Sequence, residues 1–155
     1  MEKSKKQSKY ALDDMDTKII RELQANGKIT YKEIAQKLDV SDGMVRFRVD
    51  RLLKKDILKI SASVSPMYFD NCVAALIGIN LEKREHRVIM NKIATMKGVR
   101  SVCNLTGRYD LIVEVFLDSR EELRRFLMED LVDIGGVKFS ETFIYLDAVN
   151  KWLEL

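Results

Sequence analysis

The chain's single proline, Pro66, separates two stretches whose apolar residues repeat with different periods. Before it, apolar residues recur every three or four positions, which is the period of amphipathic helices. After it, consecutive and alternating apolar residues indicate β-strands with helical segments between them. A chain of 155 residues can form one ordinary domain or two small ones. The change of period therefore predicts two unlike domains in an α+β protein.

Charge is also unevenly distributed along the chain. Residues 1–65 carry 15 basic and 10 acidic side chains, and residues 66–155 carry 12 and 14, which gives the whole chain its net charge of +3. A basic first part joined to a mildly acidic second part indicates that the first part meets a polyanion. Four lysines near the N-terminus either follow a nucleic-acid backbone or only keep the chain soluble: Lys3, Lys5, Lys6 and Lys9.

Helix-start signals occur three times in the first part. Asp13 or Asp14 caps the first predicted helix, which ends at Asn26-Gly27. Thr30 and Glu33 form a capping box for the second helix, because each side chain accepts a backbone N–H that the helix start leaves unpaired. Ser41 opens the third helix, whose core-facing residues are Val45, Val49, Leu52 and Leu53.

The second and third predicted helices follow each other very closely, with only Asp39-Val40 before the cap of the third. The small residue Ala35 allows the two helices to cross at short distance. A short helix, a tight turn and a second amphipathic helix form a helix-turn-helix pattern. The sequence therefore predicts a winged or tri-helical helix-turn-helix domain over residues 1–56.

The second part has the pattern of a ferredoxin-like βαββαβ domain over residues 71–155. Strands are predicted at 72–81, 99–105, 111–117 and 137–149, and helices at 84–97 and from Ser119 to Gly135-Gly136. An extended stretch over 57–70 is predicted to be a linker strand between the two domains. Helices can cover only one face of such a sheet.

Apolar residues occupy both faces of the predicted strands, as in the segment from Leu111 to Leu117. The second apolar face therefore needs a cover. A second copy of the chain in a two-fold dimer is the simplest cover. The alternative is that the linker and the C-terminal tail of the same chain cover this face.

The outward face of the third helix is the strongest candidate for binding. It presents Arg46 and Arg51, whose guanidinium groups can pair with guanine edges or phosphates, and Phe47, which can touch a thymine methyl. Arg48 lies closer to the core and can support the fold as easily as it binds phosphate. A solvated face beside Asp42 and Asp50 is the alternative. The candidate DNA-binding residues are Thr30, Tyr31, Ser41, Asp42, Gly43, Met44, Arg46, Phe47, Arg48 and Arg51.

A second candidate site is the turn between two predicted strands, formed by Thr106, Gly107, Arg108, Tyr109 and Asp110. Gly107 permits a positive φ angle. Exposed backbone N–H groups in the turn can hold a carboxylate, and Asp110 can accept from an ammonium, so the pair suits an α-amino acid. The alternative is a plain hairpin in which Asp110 bonds its own turn.

Several classes of function are not supported by the residues. There is no glycine-rich phosphate loop, no Cys-x-x-Cys and no paired-carboxylate pattern, and the single histidine, His86, excludes a metal site that needs two. The sequence therefore predicts neither an enzyme nor a metal or other cofactor. Apolar runs are far shorter than the roughly 20 residues of a membrane span, so no membrane partner is expected. Cys72 and Cys103 are too few for a disulfide scaffold, which favours a cytoplasmic protein.

Three motifs in the right order resemble the Lrp/AsnC, or feast/famine, family of bacterial and archaeal transcription regulators. The first runs Leu12-Asp13-x-x-Asp16-x-x-Ile19-Ile20-x-x-Leu23-Gln24-x-Asn26-Gly27. The second runs Ile34-Ala35-x-x-Leu38-x-Val40-Ser41-x-x-x-Val45-x-x-Arg48-Val49-x-x-Leu52. The third is Thr106-Gly107-x-Tyr109-Asp110. Asp39 and Arg108 depart from the residues that the family usually has at these positions.

The resemblance implies a homodimer joined through the ferredoxin-like domains, often stacked into tetramers or octamers. It also implies that an amino acid or a related metabolite binds between dimers. Ser140 and Thr142, on the last strand, would line this effector site together with the turn from Thr106 to Asp110.

The predicted function is sequence-specific regulation of transcription by a cytoplasmic, nucleoid-associated protein. A dimer would present two recognition helices to a near-palindromic operator in double-stranded DNA. Two alternatives stay open, namely an architectural DNA-binding protein without a ligand switch, and a sensing subunit of a metabolic enzyme.

Overall fold

A computed structural model of the chain describes residues 11–83 and 86–154. These residues divide into two compact units, with the boundary between Ser61 and Ala62. Along these stretches, no helix is both long and apolar enough to cross a membrane. The lysine-rich N-terminal tail lies outside the described residues.

Three helices make up the first unit: α1 (Asp14–Ala25), α2 (Tyr31–Leu38) and α3 (Asp42–Lys54). All three predicted N-caps are confirmed: Asp13, Thr30 and Ser41 each accept a hydrogen bond from a backbone N–H of the first turn. Residues 11–61 contain no strand, so the tri-helical form of the predicted domain is the one observed. The helices enclose a small core that includes Ile19, Ile34, Val45 and Val49.

The turn between α2 and α3 depends on one left-handed residue. Asp39 has φ 55° and ψ 52°, a conformation that aspartate tolerates better than most residues. The N–H groups of Asp39 and Val40 both donate to the carbonyl of Ala35, which closes the end of α2. Ser41 then caps α3, because its hydroxyl oxygen accepts from the Met44 N–H at 3.2 Å. The tight turn therefore sets the orientation of α3 relative to α2.

The prediction of a linker strand over 57–70 is wrong. This stretch holds a 3₁₀ turn, Pro66–Tyr68, and a single bridge in which Val64 and Leu153 exchange backbone hydrogen bonds of 2.7 and 2.9 Å. The physical reason is that the stretch meets one residue of the C-terminal tail rather than a sheet edge. Pro66 in addition has no N–H to donate to a ladder.

The second unit is a four-stranded antiparallel sheet with helices on one face. The strand order is β2-β3-β1-β4, as expected for the ferredoxin-like arrangement. The elements in chain order are β1 (Val73–Leu81), α4 (His86–Ala94), β2 (Val99–Asn104), β3 (Leu111–Leu117), α5 (Arg120–Arg125), a π-helical turn (Phe126–Asp130), α6 (Leu131–Asp133) and β4 (Val137–Ile144).

Alternate residues of β1 and β3 pack against the helices. Ala75, Ile77 and Ile79 of β1 are fully buried with Val113 and Val115 of β3. The helices contribute Ile89, Ile93, Leu123, Phe126 and Leu131 to this core. The remaining residues of these strands, which alternate with the buried ones, point to the other side of the sheet. We call this side the open face.

The prediction that the last strand reaches residue 149 is wrong, because β4 ends at Ile144. Tyr145 still donates its N–H to the carbonyl of Ala74, at 3.0 Å, but the partner strand β1 begins only one residue earlier, at Val73. The chain beyond this point therefore lacks a strand to pair with. Asn150 then adopts a positive φ of 56°, which is incompatible with a continuing strand.

The open face is partly covered by the chain itself, as in the alternative to dimerisation. At one end, Ala74 and Phe116 are buried beneath Leu153 of the tail, with Phe69 and Tyr145 packed beside them. Other apolar side chains stay exposed: Phe139 and Phe143 on this face of β4, and Leu146, Val149 and Trp152 in the tail beyond it. Self-coverage is therefore incomplete.

Candidate DNA interface and effector site

The outward face of α3 combines an exposed cation with an exposed ring. Phe47 is 65% exposed, although phenylalanine is usually buried. The guanidinium of Arg46 lies 5.5 Å from the centre of the Tyr31 ring and 3.7 Å from a carboxylate oxygen of Asp42. A side chain added at Gly43 would meet no atom within 4 Å, so the start of the helix offers a bare backbone surface. These groups can contact base edges and thymine methyls.

Arg48 is turned toward the start of α1. Its guanidinium donates to both oxygens of Asp13, at 2.6 and 2.9 Å, and to Asp16 at 2.8 Å. These hydrogen bonds raise the pKa of Arg48, and the one from Arg48 lowers the pKa of Asp13. Its Nε lies 3.1 Å from the sulfur of Met44. Arg48 therefore links α3 to α1 in addition to any contact with DNA.

Arg51 also contacts Asp16, at 3.0 and 3.2 Å from its two carboxylate oxygens. The Asp16 side chain is fully buried, so its charge depends on these guanidinium partners. The Arg51 guanidinium also lies 5.7 Å from the centre of the Phe47 ring. Sequence reasoning did not identify Asp16 as part of this network. The available signal was the Asp13-x-x-Asp16 spacing, which places both carboxylates on the first turn of α1.

Two of the candidate DNA-binding side chains are used to build caps. The Thr30 hydroxyl donates to Glu33 at 2.7 Å and accepts from its backbone N–H at 3.2 Å. The hydrogen bond from the Thr30 N–H lowers the pKa of Glu33. Ser41 caps α3 as described above. These two residues therefore act first on helix geometry.

A shallow hollow of about 420 Å³ follows the second half of α3. Lys54 and Lys55 line it, although neither was among the predicted contacts. The signal for Lys54 was its position opposite the core-facing residues. The other lining residues are Phe47, Asp50 and Arg51.

The turn between β2 and β3 is held by backbone and carboxylate hydrogen bonds. Gly107 has a φ of 137°. Asp110 donates its N–H to the carbonyl of Ile79 at 3.0 Å, and its carboxylate accepts from the Leu81 N–H at 2.8 Å. The other carboxylate oxygen of Asp110 lies 3.7 Å from Nε2 of His86. In these contacts the Asp110 carboxylate bonds the last residue of β1 and does not cap its own turn.

Tyr109 lies flat over Gly78 of β1, on the open face. A Cβ at Gly78 would fall 2.7 Å from the Tyr109 ring, so only glycine allows this approach. The Tyr109 hydroxyl donates to Glu141, and this bond raises the pKa of Tyr109. Phe143 packs edge-on at 6.2 Å between ring centres.

Arg108 completes the same cluster. Its guanidinium is 3.4 Å from the Glu141 carboxylate and 5.5 Å from the Tyr109 ring centre, yet its side chain remains 74% exposed. Thr106 and Gly107 are exposed at the tip of the turn. The turn and Glu141 of β4 thus present a cation, a ring and a carboxylate next to each other.

Ser140 and Thr142 are not brought together with this cluster. They pair with Ile79 and Ile77, whose side chains face the helices, whereas Glu141 pairs with Gly78 on the open face. Sequence reasoning missed Glu141. Its parity with Phe139 and Phe143 was the available signal, because alternate residues of a strand share one face.

A further polar group lies on the open face nearer the tail. The Tyr145 hydroxyl donates to Glu114 at 2.8 Å, and Lys151 is in direct contact with the same carboxylate. Burial and the bond to Glu114 raise the pKa of Tyr145 to about 12. The two cysteines are free thiols, Cys72 half-buried and Cys103 exposed. Residues 11–83 and 86–154 contain no cluster of three His, Cys, Asp or Glu side chains that could hold a metal ion.

Each of the two units matches the profile of a known protein family. Residues 12–59 match the profile described as winged helix-turn-helix DNA-binding, and residues 74–152 match the profile described as the Lrp/AsnC ligand binding domain. The HTH-type transcriptional regulator PH0140 of Pyrococcus horikoshii is 32% identical over 145 residues, which is 93% of this chain and 91% of that protein.

Solved structures resemble the chain over nearly its full length. AsnC from E. coli matches with a TM-score of 0.69 and 26% identity, over 90% of this chain and 95% of that one. The regulator NMB0573 from Neisseria meningitidis, solved as a complex with L-Met, matches with a TM-score of 0.71 and 23% identity, over 91% and 94% of the two chains.

Proposed function

Since the chain belongs to the Lrp/AsnC family and is a helix-turn-helix transcriptional regulator with a ligand-binding domain, we propose that α3 reads base sequence in the major groove and that the second unit responds to an amino acid or a related metabolite. In this proposal the first unit, predicted as residues 1–56, contacts DNA. The ferredoxin-like unit, predicted as residues 71–155, assembles the oligomer and binds the effector.

The observation that carries the DNA-reading proposal is the exposure of Arg46 and Phe47 on one face of α3. Val45 and Val49 of the same helix are fully buried, so α3 is fixed to its unit by one face and free to enter a groove with the other. Arg46 can bond a guanine edge or a phosphate, and Phe47 can pack on a thymine methyl. The bare Gly43 lets the helix start approach the base edges closely.

A dimer would present two copies of α3 to a near-palindromic operator, with half-sites roughly one helical turn apart. The exposed apolar side chains of β4 and the tail, including Phe143 and Trp152, support pairing between copies of the second unit. Further stacking into tetramers or octamers and a location on the nucleoid are part of the same proposal.

The effector proposal rests on the cluster around Tyr109. Arg108 can bind a carboxylate, the Glu141 and Asp110 carboxylates can accept from an ammonium, and the Tyr109 and Phe143 rings offer an apolar wall. Both charges of an α-amino acid therefore have partners at this turn. A second dimer would close the site from the open side.

The DNA-reading proposal is tested by selecting duplexes from a random pool with the full-length protein and then titrating Arg46→Ala with the selected duplex. Loss of a bidentate contact should weaken binding by about 1–3 kcal/mol and relax the preference at one base position. Arg46 is exposed, so the unfolding midpoint should not move. Unchanged affinity and unchanged base preference would remove this face of α3 from the interface.

The effector proposal is tested by calorimetric titration with each common amino acid, together with sedimentation and DNA mobility in its presence and absence. The expected result is that at least one amino acid binds and changes assembly size or DNA mobility. If none of them does so, the effector proposal fails and the architectural DNA-binding alternative replaces it. DNA recognition by α3 is tested separately by the Arg46→Ala titration.

A further inference from the structure

Two of the arginines on α3 form ion pairs with aspartates of the same unit. Arg48 and Arg51 are paired with Asp13 and Asp16 at distances of 2.6 to 3.2 Å. Asp16 is fully buried and Asp13 is half-exposed on the first turn of α1. Two guanidinium charges of α3 are therefore balanced by two carboxylates that lie behind the helix.

The same two arginines also touch the outward face of α3. Nε of Arg48 contacts the Met44 sulfur at 3.1 Å, and the Arg51 guanidinium lies against the Phe47 ring. Their side chains remain 21% and 29% exposed, respectively. Each therefore extends between the carboxylates of α1 and the surface of α3 that is proposed to face DNA.

We propose that Asp13 and Asp16 determine specificity by withholding Arg48 and Arg51 from phosphates, so that sequence-independent attraction to DNA stays low. The proposal deepens the DNA-reading function of α3 and rests on it. Contacts with phosphates add affinity for any sequence, whereas contacts with base edges discriminate between sequences. A carboxylate that occupies a guanidinium reduces the first kind of contact and leaves Arg46 and Phe47 to supply the second.

A purely structural role for the two aspartates leads to a different expectation. If they only held α3 in place, their loss would weaken binding to every duplex. If they withhold charge, their loss frees a guanidinium and strengthens binding to duplexes of any sequence. The sign of the change for non-operator DNA therefore separates the two roles.

The variants are Asp13→Asn, Asp16→Asn and, as the matched control, Asp14→Asn in the full-length protein. Each removes one negative charge from the first turn of α1. Asp14 is exposed and makes none of the ion pairs found in the described part of the chain. Asparagine at position 13 is still an effective N-cap, so the start of α1 is preserved.

Each variant is titrated with a mixed-sequence duplex and with a duplex selected by the parent protein, across a range of salt concentrations. One additional phosphate contact should increase the drop in mixed-duplex affinity between 50 and 200 mM salt by roughly 3.5-fold relative to the Asp14→Asn control. The effect should be larger for Asp16→Asn, because Asp16 contacts both arginines, than for Asp13→Asn. The ratio of selected-duplex to mixed-duplex affinity should fall in both variants.

A mixed-duplex affinity and salt dependence equal to those of Asp14→Asn, in both test variants, would overturn the inference. A loss of affinity for both duplexes would overturn it as well, in favour of a purely structural role. Should Asp16→Asn unfold, Asp13→Asn decides the matter because Asp13 lies at the surface. A parent protein that binds no duplex at all would instead refute the DNA-reading proposal itself.

Discussion

Both units place an arginine, a carboxylate and an aromatic ring side by side, but they expose these groups very differently. In the first unit the Asp16 carboxylate is fully buried between Arg48 and Arg51. In the second unit the Glu141 carboxylate and the Arg108 guanidinium lie at the surface, with 36% and 74% of their side chains exposed. The two clusters contain the same kinds of group and differ in their exposure to solvent.

The difference in exposure sets what each cluster can do. A buried carboxylate cannot lose its partners without leaving a charge in a poorly solvated place, so removal of one partner of the Asp16 cluster is costly. Exposed ion pairs contribute little to stability because water competes for both partners. The cluster at the turn can therefore exchange its internal contacts for a ligand at small cost.

The largest expected effect tests the buried side of this contrast. Asp16→Ala should lower the free energy of unfolding by about 3 kcal/mol, because two guanidinium groups lose the carboxylate that they share. Urea unfolding followed by circular dichroism measures the change. Asp14→Ala, on the same helical turn, is the control and should stay within about 0.5 kcal/mol of the parent. Equal midpoints for the two variants would show that the buried pair does not stabilise the unit.

The next effect tests the packing beneath the exposed cluster. Gly78→Ala should cost about 2 kcal/mol, because the new methyl group would lie 2.7 Å from the Tyr109 ring and force it away from the sheet. Gly43→Ala is the matched control, since a methyl group there meets no atom within 4 Å. The control should leave the free energy of unfolding unchanged or raise it by about 0.5 kcal/mol. If the two variants have the same stability, Tyr109 does not depend on Gly78.

A third effect concerns Tyr145 and Glu114, a pair of intermediate exposure. The pKa of Tyr145 in the folded protein is about 12, above the value of about 10 for an unfolded tyrosine. The neutral phenol therefore adds stability that is fully present below about pH 10 and is lost as the pH rises through about 12.

Unfolding midpoints measured across this alkaline range check the prediction. Tyr145→Phe should remove part of the alkaline loss, while Tyr68→Phe should not, because Tyr68 is 89% exposed. An identical pH dependence in the parent and Tyr145→Phe would contradict the assignment.

The smallest expected effect tests the exposed cluster directly. Glu141→Gln should leave the unfolding midpoint close to that of the parent, because its partners are at the surface. The pKa of Tyr109 should nevertheless fall toward its ordinary value, since the hydrogen bond to Glu141 is what raises it. An ultraviolet titration of the phenolate measures this, with Tyr109→Phe to assign the signal. A Tyr109 pKa that does not move would show that Glu141 is not its main partner.

Local signals in the sequence predicted most of the fold. The caps at Asp13, Thr30 and Ser41 and the glycine-bounded helices are read from neighbouring residues, because a helix start depends on side chains within three or four positions. The strand order of the second unit follows from the βαββαβ sequence of elements. The end of β4 was predicted incorrectly, because it depends on where β1 begins, and β1 is far away in the sequence.

The sequence by itself determined the two periods, the helix caps and the exposed residues of α3, since these depend on spacing along the chain. Only the tertiary structure decided that Arg48 and Arg51 meet Asp13 and Asp16, and that Tyr109 meets Glu141 rather than Ser140 or Thr142. Such pairings join residues more than 30 positions apart. Their geometry follows from how helices cross and strands register, which no local spacing specifies.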